Sequence, residues 1–307
     1  MLARHRRTVI TTVVASPLAV LLAVAGAAAQ ELEPRSYSPS PVGTTFIVVS
    51  ATRSTGGVFT DPSIPFTDVD ATLKVLGLSI GRTFAIAGKQ ALLLGAVPVT
   101  WGTASGSIGE ERNTASRSGL ADPRIRLSVV LRGSAALSPA DFVKAPRRTI
   151  LASSVTVVPP VGQYDASKLI NLGSHRWAFK PELGVSVPLN RWTVDAYAGV
   201  WFFTANETFY PGSSVREQDP IVALQGHVSY TLGRRSWLAG NATWYSGGRT
   251  TLDGVDKRDL QRNTRVGATW AQPVNAHQSL KVSYNAGATT RRGADFRTLT
   301  AAWQFVF

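Results

Sequence analysis

Two local patterns in this chain could support enzyme chemistry, one through a serine hydroxyl and one through an imidazole. Gly77-Leu78-Ser79-Ile80-Gly81 matches the G-x-S-x-G sequence around the nucleophilic serine of many hydrolases. That chemistry requires a sharp turn from a strand into a helix, because the turn exposes the serine. Here the motif sits within a strand-like segment with no helix after it. Small residues that fit a sheet explain the glycines better, so the motif does not predict a catalytic serine.

Histidine is the second candidate, because an imidazole can act as a general base or bind a metal. His227 has polar residues at the alternate positions beside it, Gln225 and Ser229. Catalysis would also need a serine and a polar orienting group within hydrogen-bond distance of the ring. No other histidine of the mature chain shares its strand face, so a metal site is not indicated. We therefore predict no catalytic residues, no metal and no cofactor.

A third group of residues carries charge on faces that are otherwise polar. Arg124 and Arg126, for example, alternate with Ile125 and Leu127, and a strand places successive side chains on opposite faces. The predicted polar lining consists of Arg124, Arg126, Lys180, Glu182, Asp195, Gln225, His227, Arg265 and Lys281. Such a lining either fills an interior with salt bridges or selects permeants by charge. Its positive excess predicts a mild preference for anions.

Twelve strand-like segments position these side chains. They are centred on Thr45–Thr52, Asp70–Arg82, Ala91–Gly102, Arg124–Arg132, Thr149–Val158, Trp177–Val187, Trp192–Phe203, Val222–Leu232, Trp237–Tyr245, Thr264–Ala271, Ser279–Thr289 and Phe296–Phe307. Turning Arg124 or Arg126 towards mid-bilayer lipid would cost about 2–4 kcal/mol each, so the apolar faces must meet the lipid. The pattern predicts an all-β fold, a closed antiparallel transmembrane β-barrel of 12 strands.

The second and third strand-like segments remain ambiguous. In the second segment, Lys74 and Arg82 share a face with three apolar residues, Leu76, Leu78 and Ile80. The alternation alone does not decide whether this face meets lipid or lumen.

The connections between the strands support a barrel. An even strand number places both chain ends on the periplasmic side, with long loops outside. The long polar connections are predicted near Arg53–Asp68, Thr103–Ala121, Pro160–His175, Ala205–Asp219 and Ser246–Arg262. The periplasmic turns are tight except for Gly133–Arg148, where Ser138-Pro139 predicts the cap and first turn of a short helix.

Eight tryptophans lie near the ends of the predicted strands. The four at external ends are Trp101, Trp177, Trp201 and Trp244, and the four at periplasmic ends are Trp192, Trp237, Trp270 and Trp303. Indole prefers the membrane interface, so this placement predicts two aromatic girdles. A soluble β-sandwich would give no reason for tryptophan at strand ends.

The amino-terminal residues predict export. Three arginines in the first seven residues precede an apolar stretch, Val9–Ala29, that ends in small residues. This pattern indicates a secretory signal peptide cleaved after Ala29, rather than a membrane anchor, because no stop-transfer charges follow. We expect a signal peptide at 1–29, an irregular segment at 30–42 and an outer-membrane barrel at 43–307.

Composition agrees with this assignment. Hydrophobic residues make up 44% and charged residues 17%, whereas a soluble domain has roughly 25% charged residues. Cysteine is absent, which excludes disulfides and thiolate chemistry. The formal net charge of +13 is spread along the chain, so nucleic acid is not an expected partner.

The carboxyl-terminal segment alternates strongly and ends on an aromatic residue. Trp303, Phe305 and Phe307 fall on one face, as expected of a strand with lipid on its outer side. This ending resembles the assembly signal of Gram-negative outer-membrane barrels. The resemblance implies the barrel-assembly machinery and periplasmic chaperones as partners, besides outer-membrane lipid.

Five blocks of the sequence resemble the phenol meta-cleavage pathway (MetA-type) outer-membrane proteins. They are Ser36–Phe46, Ser118–Leu127, Pro159–Ser186, Ala223–Leu232 and Gly247–Gly254. The resemblance implies a bacterial outer-membrane barrel for passive uptake of small molecules, with aromatic or hydrophobic compounds as the expected class. It carries over no catalytic residues.

Two other functions stay open at this stage, a barrel-embedded, phospholipase-like hydrolase and a closed structural or adhesive barrel. An inner plug is also open, formed by Gln30–Val42 or by Arg112–Ser118.

Overall fold

The computed structural model describes residues 32–59, 67–168, 170–233 and 236–307. The predicted signal peptide lies outside the described residues. The short helix α1, Pro139–Phe142, confirms the predicted helix: the Ser138 hydroxyl caps it by accepting a hydrogen bond from the Asp141 N–H at 3.2 Å. Within the described residues, no helix is both long and apolar enough to cross a membrane.

The described chain forms mainly β-strands, in the following order. They are β1 Thr45–Phe59, β2 Thr67–Ile86, β3 Lys89–Ile108, β4 Glu111–Leu120, β5 Arg124–Arg132, β6 Ile150–Val158, β7 Ala178–Leu189, β8 Trp192–Phe203, β9 Asn206–Phe209, β10 Ser214–Gln218, β11 Ile221–Thr231, β12 Trp237–Gly247, β13 Thr250–Leu252, β14 Val255–Asp256, β15 Gln261–Pro273, β16 Gln278–Thr289 and β17 Gly293–Val306.

The main sheet closes on itself into a 12-stranded antiparallel barrel, as predicted. β1 pairs with β2 on one side and with β17, the last strand, on the other. β4 and β5 pair with successive stretches of β3, residues 99–108 and 91–96, so they occupy a single position in the wall. The remaining neighbours follow chain order around the barrel, once β9, β10, β13 and β14 are set aside. Closure leaves no free sheet edge in the membrane.

Side chains alternate between an exposed outer face and a buried inner face. In β11, Val222, Leu224 and Val228 are exposed, whereas Gln225 and His227 are buried. Apolar side chains on the outer surface are stable only against lipid, and polar ones inside satisfy each other or water. The apolar outer face of the barrel therefore contacts the hydrocarbon region of the membrane.

The structure resolves the ambiguous face of β2. Lys74, Leu76, Leu78, Ile80 and Arg82 all lie on the outer surface. Lys74 and Arg82 are eight residues apart, or about 26 Å along the strand at about 3.3 Å per residue. They therefore flank the apolar band and can extend their charges towards the two interfaces.

The predicted external loop Thr103–Ala121 is wrong, because the chain continues as strand there. This stretch forms the end of β3 and the whole of β4, joined by the turn at Gly109. In the predicted loop Arg53–Asp68, residues 53–59 and 67–68 belong to β1 and β2, and the part between them lies outside the described residues. The serine and threonine residues of Thr103–Ala121 led to the prediction of a loop. Their hydroxyls instead pair across the hairpin, as between Ser105 and Thr114 at 3.0 Å, which stabilises adjacent strands.

A second small sheet lies at the external end of the barrel. It contains four short strands in the order β14-β13-β10-β9. These strands fall within Ala205–Asp219 and Ser246–Arg262, which the sequence predicts only as long loops. Both connections are thus folded extensions of the barrel.

Candidate functional site in the barrel lumen

The amino-terminal segment, residues 32–44, lies inside the barrel. Tyr37 is only 3% exposed, and its hydroxyl lies 2.8 Å from Glu182 Oε1 and 2.9 Å from Ser154 Oγ. Its ring meets the Tyr197 ring edge-on, with centroids 5.0 Å apart. Of the two predicted positions for a plug, the structure therefore places residues 32–42 in the lumen. Arg112–Ser118 lies in the β3–β4 hairpin instead.

Arg35 holds the segment near the periplasmic end. Its guanidinium donates to Ser229 Oγ at 2.9 Å and Thr231 Oγ1 at 3.0 Å, and it lies 4.8 Å from the centroid of the Trp237 ring. Its backbone N–H donates to Asp195 Oδ2 at 3.3 Å. These contacts join the segment to three strands of the barrel wall, β8, β11 and β12.

Gly184 of β7 leaves the space that Tyr37 occupies. A Cβ atom at this position would lie 2.2 Å from Tyr37 Cε2, far closer than van der Waals contact allows. We expect Gly184→Val to expel Tyr37 and make residues 32–44 sensitive to proteinase K in detergent. Gly226→Ala is the matched control, because no atom lies within 4 Å of that Cβ position. Equal protease resistance of both variants would contradict the packing described here.

A charged network surrounds Tyr37. Glu182 accepts from Lys180 Nζ at 2.6 Å, Arg126 Nη2 at 3.1 Å and Gln225 Nε2 at 3.0 Å. β5, β7 and β11 each contribute one side of this network. Among the described residues, two cations thus bond to this single carboxylate.

The second polar group in the lumen contains His227. Its Nδ1 lies 2.9 Å from Asn241 Oδ1, and the Asn241 amide donates to Thr269 Oγ1 at 2.9 Å. Ser229, two residues along β11, lies 3.4 Å from the Thr193 carbonyl oxygen. In the described part of the chain, no serine hydroxyl is bonded to the imidazole.

The predicted lining residues all lie on inner faces, but only some of them meet. Arg126, Lys180, Glu182 and Gln225 form one network, whereas Arg265 donates separately to the Phe296 carbonyl at 2.9 Å. The rest are placed as follows: Arg124 near the external end of β5, Asp195 beside Arg35, His227 beside Asn241, and Lys281 paired with Glu33. Arg35 and Tyr37 were not predicted as lining residues, because a segment rich in proline and serine shows no periodicity that would place its side chains.

Two of the eight predicted girdle tryptophans do not face the lipid. Trp201 is 4% exposed and belongs to an inner apolar cluster, and Trp237 stacks against Arg35. Both were assigned from their position at strand ends, which does not distinguish the two faces. Five of the other six lie on the outer faces of their strands: Trp101, Trp192, Trp244, Trp270 and Trp303. The sixth, Trp177, is exposed and lies just before β7.

The predicted assembly residues lie at the end of the closing strand. Trp303 and Phe305 belong to β17, between β1 and β16, and Phe307 is 71% exposed. The Phe307 N–H donates to the Thr45 carbonyl at 2.8 Å.

The connection between β6 and β7 folds over the external opening. We call residues 159–168 and 170–176 the mouth loop. Ile170 belongs to one buried apolar cluster with Val58 of β1 and Phe296 of β17. At least three strands separate β1 and β17 from β6 and β7 in the barrel wall. On its other side, the Tyr164 hydroxyl donates to the Thr208 carbonyl at 3.0 Å. The loop therefore reaches across the opening.

Asp122 fixes the base of the mouth loop. Its carboxylate accepts from the Gly162 N–H at 2.8 Å and from the Ser174 N–H and hydroxyl, both at 2.7 Å. Three hydrogen bonds to one charged group hold the loop in a defined position. The lumen is thus narrowed at both ends, by the mouth loop and by residues 32–44.

Comparison with solved structures shows the same barrel architecture elsewhere. An outer membrane channel from Pseudomonas putida F1 superposes with a TM-score of 0.76 at 23% identity, covering 90% of this chain and 100% of that one. The transport unit of the Escherichia coli autotransporter AIDA-I gives 0.53 at 9% identity, covering 92% and 94%. The beta domain of the Bordetella autotransporter BrkA gives 0.51 at 12%, covering 87% and 100%. No curated protein sequence matches the chain.

These likenesses establish the fold, and a family model extends the assignment. The apolar outer face and the closed wall place the protein in the bacterial outer membrane, in contact with lipid. Residues 50–303, most of the chain, match the family model described as the MetA-pathway of phenol degradation. The protein therefore belongs to the family of the MetA-pathway of phenol degradation.

Proposed function

We propose that the protein is a narrow, passive outer-membrane channel for small molecules, with aromatic compounds as the expected class. The family description, which refers to phenol degradation, supports this class. A further support is that the solved outer membrane channel from Pseudomonas putida F1 shares the fold over its whole length. Permeants would pass between the wall and residues 32–44, or move that segment aside.

The observation that carries the proposal is the polar lining of the lumen. The charged network of Arg126, Lys180 and Glu182 lies on the inner face of the barrel, in its external half. If the interior were a closed hydrophobic core, apolar side chains would be expected at these positions. Charged groups inside a membrane barrel commonly select the solutes that pass. Because arginine and lysine outnumber Glu182 and Asp195 in the predicted lining, we expect the passage to favour anions.

An enzymatic role receives less support from the same geometry. A hydrolase needs a nucleophile within hydrogen-bond distance of its base. The described contacts of the His227 ring are with Asn241 and Tyr197, and Asn241 turns its amide towards Thr269. A channel uses the observed lining directly, so we prefer it to a hydrolase or a closed structural barrel.

Electrophysiology tests the channel directly. In planar bilayers with a potassium chloride gradient, we expect stepwise conductance and a reversal potential that shows modest chloride preference. The physical reason is the positive excess of the predicted lining. Complete silence, or a clear preference for potassium, would contradict the proposal.

The remaining assignments are also proposals. We propose export through a signal peptide at 1–29, a lead-in at 30–42 and a barrel at 43–307. Assembly would use periplasmic chaperones and the barrel-assembly machinery, which would recognise the aromatic end at Trp303, Phe305 and Phe307.

A further inference from the structure

Two arginines at the external end of the lumen are buried without the partners that such cations need. Arg176 lies two residues before β7, and Arg216 lies in β10; they are 7% and 5% exposed. Arg176 Nη1 and Arg216 Nη2 are buried and have no hydrogen-bond partner. Buried guanidinium groups are normally bonded to acceptors, so two open donors in one place require an explanation.

The neighbouring carboxylates are already used elsewhere. Asp122 accepts from Gly162 and Ser174, and Asp259 accepts from Thr250 N–H at 2.8 Å and its hydroxyl at 2.6 Å. Among the described residues, no ion pair joins either arginine to a carboxylate. Within the described part of the chain, the guanidinium of Arg176 donates one hydrogen bond, to the neutral Gln218 side chain.

Arg216 acts electrostatically on Arg176. Burial, followed by repulsion from Arg216, lowers the pKa of Arg176 to about 9, so this group remains protonated at neutral pH. Burial also lowers the pKa of Arg216. Asp122 acts on Arg176 and Asp259 acts on Arg216 in the opposite direction, but neither carboxylate forms an ion pair with these arginines, so the two open donors are left for an anion to occupy.

An aromatic surface lies beside these cations. The Arg176 guanidinium lies 4.4 Å from the Phe203 ring centroid, and Phe203 packs on an inner apolar cluster that includes Trp201 and Tyr245. Further towards the periplasmic side, Lys180 Nζ lies 5.6 Å from the centroid of the Trp201 ring. Cations and aromatic rings therefore follow one another from the mouth towards the charged network.

We propose that Arg176 and Arg216 bind the carboxylate of a small aromatic acid at the external end of the lumen. Each carboxylate oxygen would accept from one open donor, and the ring would lie against the aromatic surface of Phe203. The inference rests on the proposed channel function and deepens it by naming a permeant class, aromatic monocarboxylates. Because both guanidinium groups are buried, the ligand must come from the lumen rather than from lipid headgroups.

Calorimetry on the purified full-length protein in detergent tests the site, with benzoate as ligand. We expect benzoate to bind, and Arg176→Gln or Arg216→Gln to weaken it by about tenfold or more, as expected for a charge-assisted hydrogen bond. Arg249→Gln is the matched control, since Arg249 is external but exposed and paired with Asp219. Its affinity for benzoate should not change.

Two further measurements keep the outcomes separate. Benzyl alcohol has the aromatic ring of benzoate without its charge. If the unaltered protein binds benzyl alcohol as tightly as benzoate, the proposed site is wrong. This comparison does not depend on whether the arginine variants fold. Bilayer conductance in potassium chloride tests the channel alone. A conducting protein that does not bind benzoate overturns only the site, whereas benzoate binding by a silent protein overturns the channel and keeps the site.

Discussion

Deleting residues 32–42 from the mature protein should raise its single-channel conductance several-fold. These residues occupy the lumen, where Tyr37 is almost fully buried against Glu182 and Ser154. Their removal leaves a wider water-filled passage, and the wall keeps its own strand pairing, because β1 begins at Thr45. Planar-bilayer recordings at fixed voltage and salt measure the change.

A smaller change provides the control for this deletion. Tyr37→Phe removes one hydroxyl and keeps the segment in place through Arg35, so its conductance should stay close to that of the unaltered protein. Correct folding of each variant is checked by the mobility shift that barrels show on heating before gel electrophoresis. A folded deletion variant with unchanged conductance would show that the segment does not obstruct the passage.

Neutralising the two ends of the Lys180–Glu182 pair should move ion selectivity in opposite directions. Glu182→Gln removes one negative charge from the lumen, so anion preference should increase; Lys180→Gln removes one positive charge and should decrease it. One unit charge about 5–8 Å from an ion in a watery passage changes its energy by about 0.5–0.8 kcal/mol, or roughly two- to fourfold in the permeability ratio. Reversal potentials in a salt gradient measure both effects.

The control for this pair removes the same charge from the other side of the wall. Lys74 lies on the outer face of β2, so Lys74→Gln should leave the reversal potential unchanged. If Lys180→Gln and Glu182→Gln shift the potential in the same direction, the network does not line the ion path.

The strand pattern was predictable because it is local. Alternation in segments such as β5 and β11 requires only that successive side chains point to opposite sides, and the cost of arginine in lipid decides which side faces outwards. The strand Trp192–Phe203 was placed with its observed bounds. The hairpin of β3 and β4 was missed because its serine and threonine residues are stabilised by partners across the hairpin, which composition does not show.

The candidate site was only partly predictable, because its contacts join residues that lie far apart in the sequence. The sequence placed Arg126, Lys180 and Glu182 on polar faces, but not in one network, because that contact depends on how the strands of the barrel are arranged around the lumen. It placed Trp201 and Trp237 at strand ends and assigned them the wrong side. Near a strand end, either face can hold an aromatic ring, and only the neighbouring side chains decide which one does.

By itself, the sequence determined a 12-stranded barrel with charge on the inside, because a period of two and the free energy of burying charge in lipid act within each strand. Only the tertiary structure decided that Tyr37 lies against Glu182, 145 residues further along the chain, and that Arg216 of β10 lies close enough to Arg176 of the mouth loop to repel it. Contacts of that kind depend on the closed wall that brings distant segments together, and no local pattern records them.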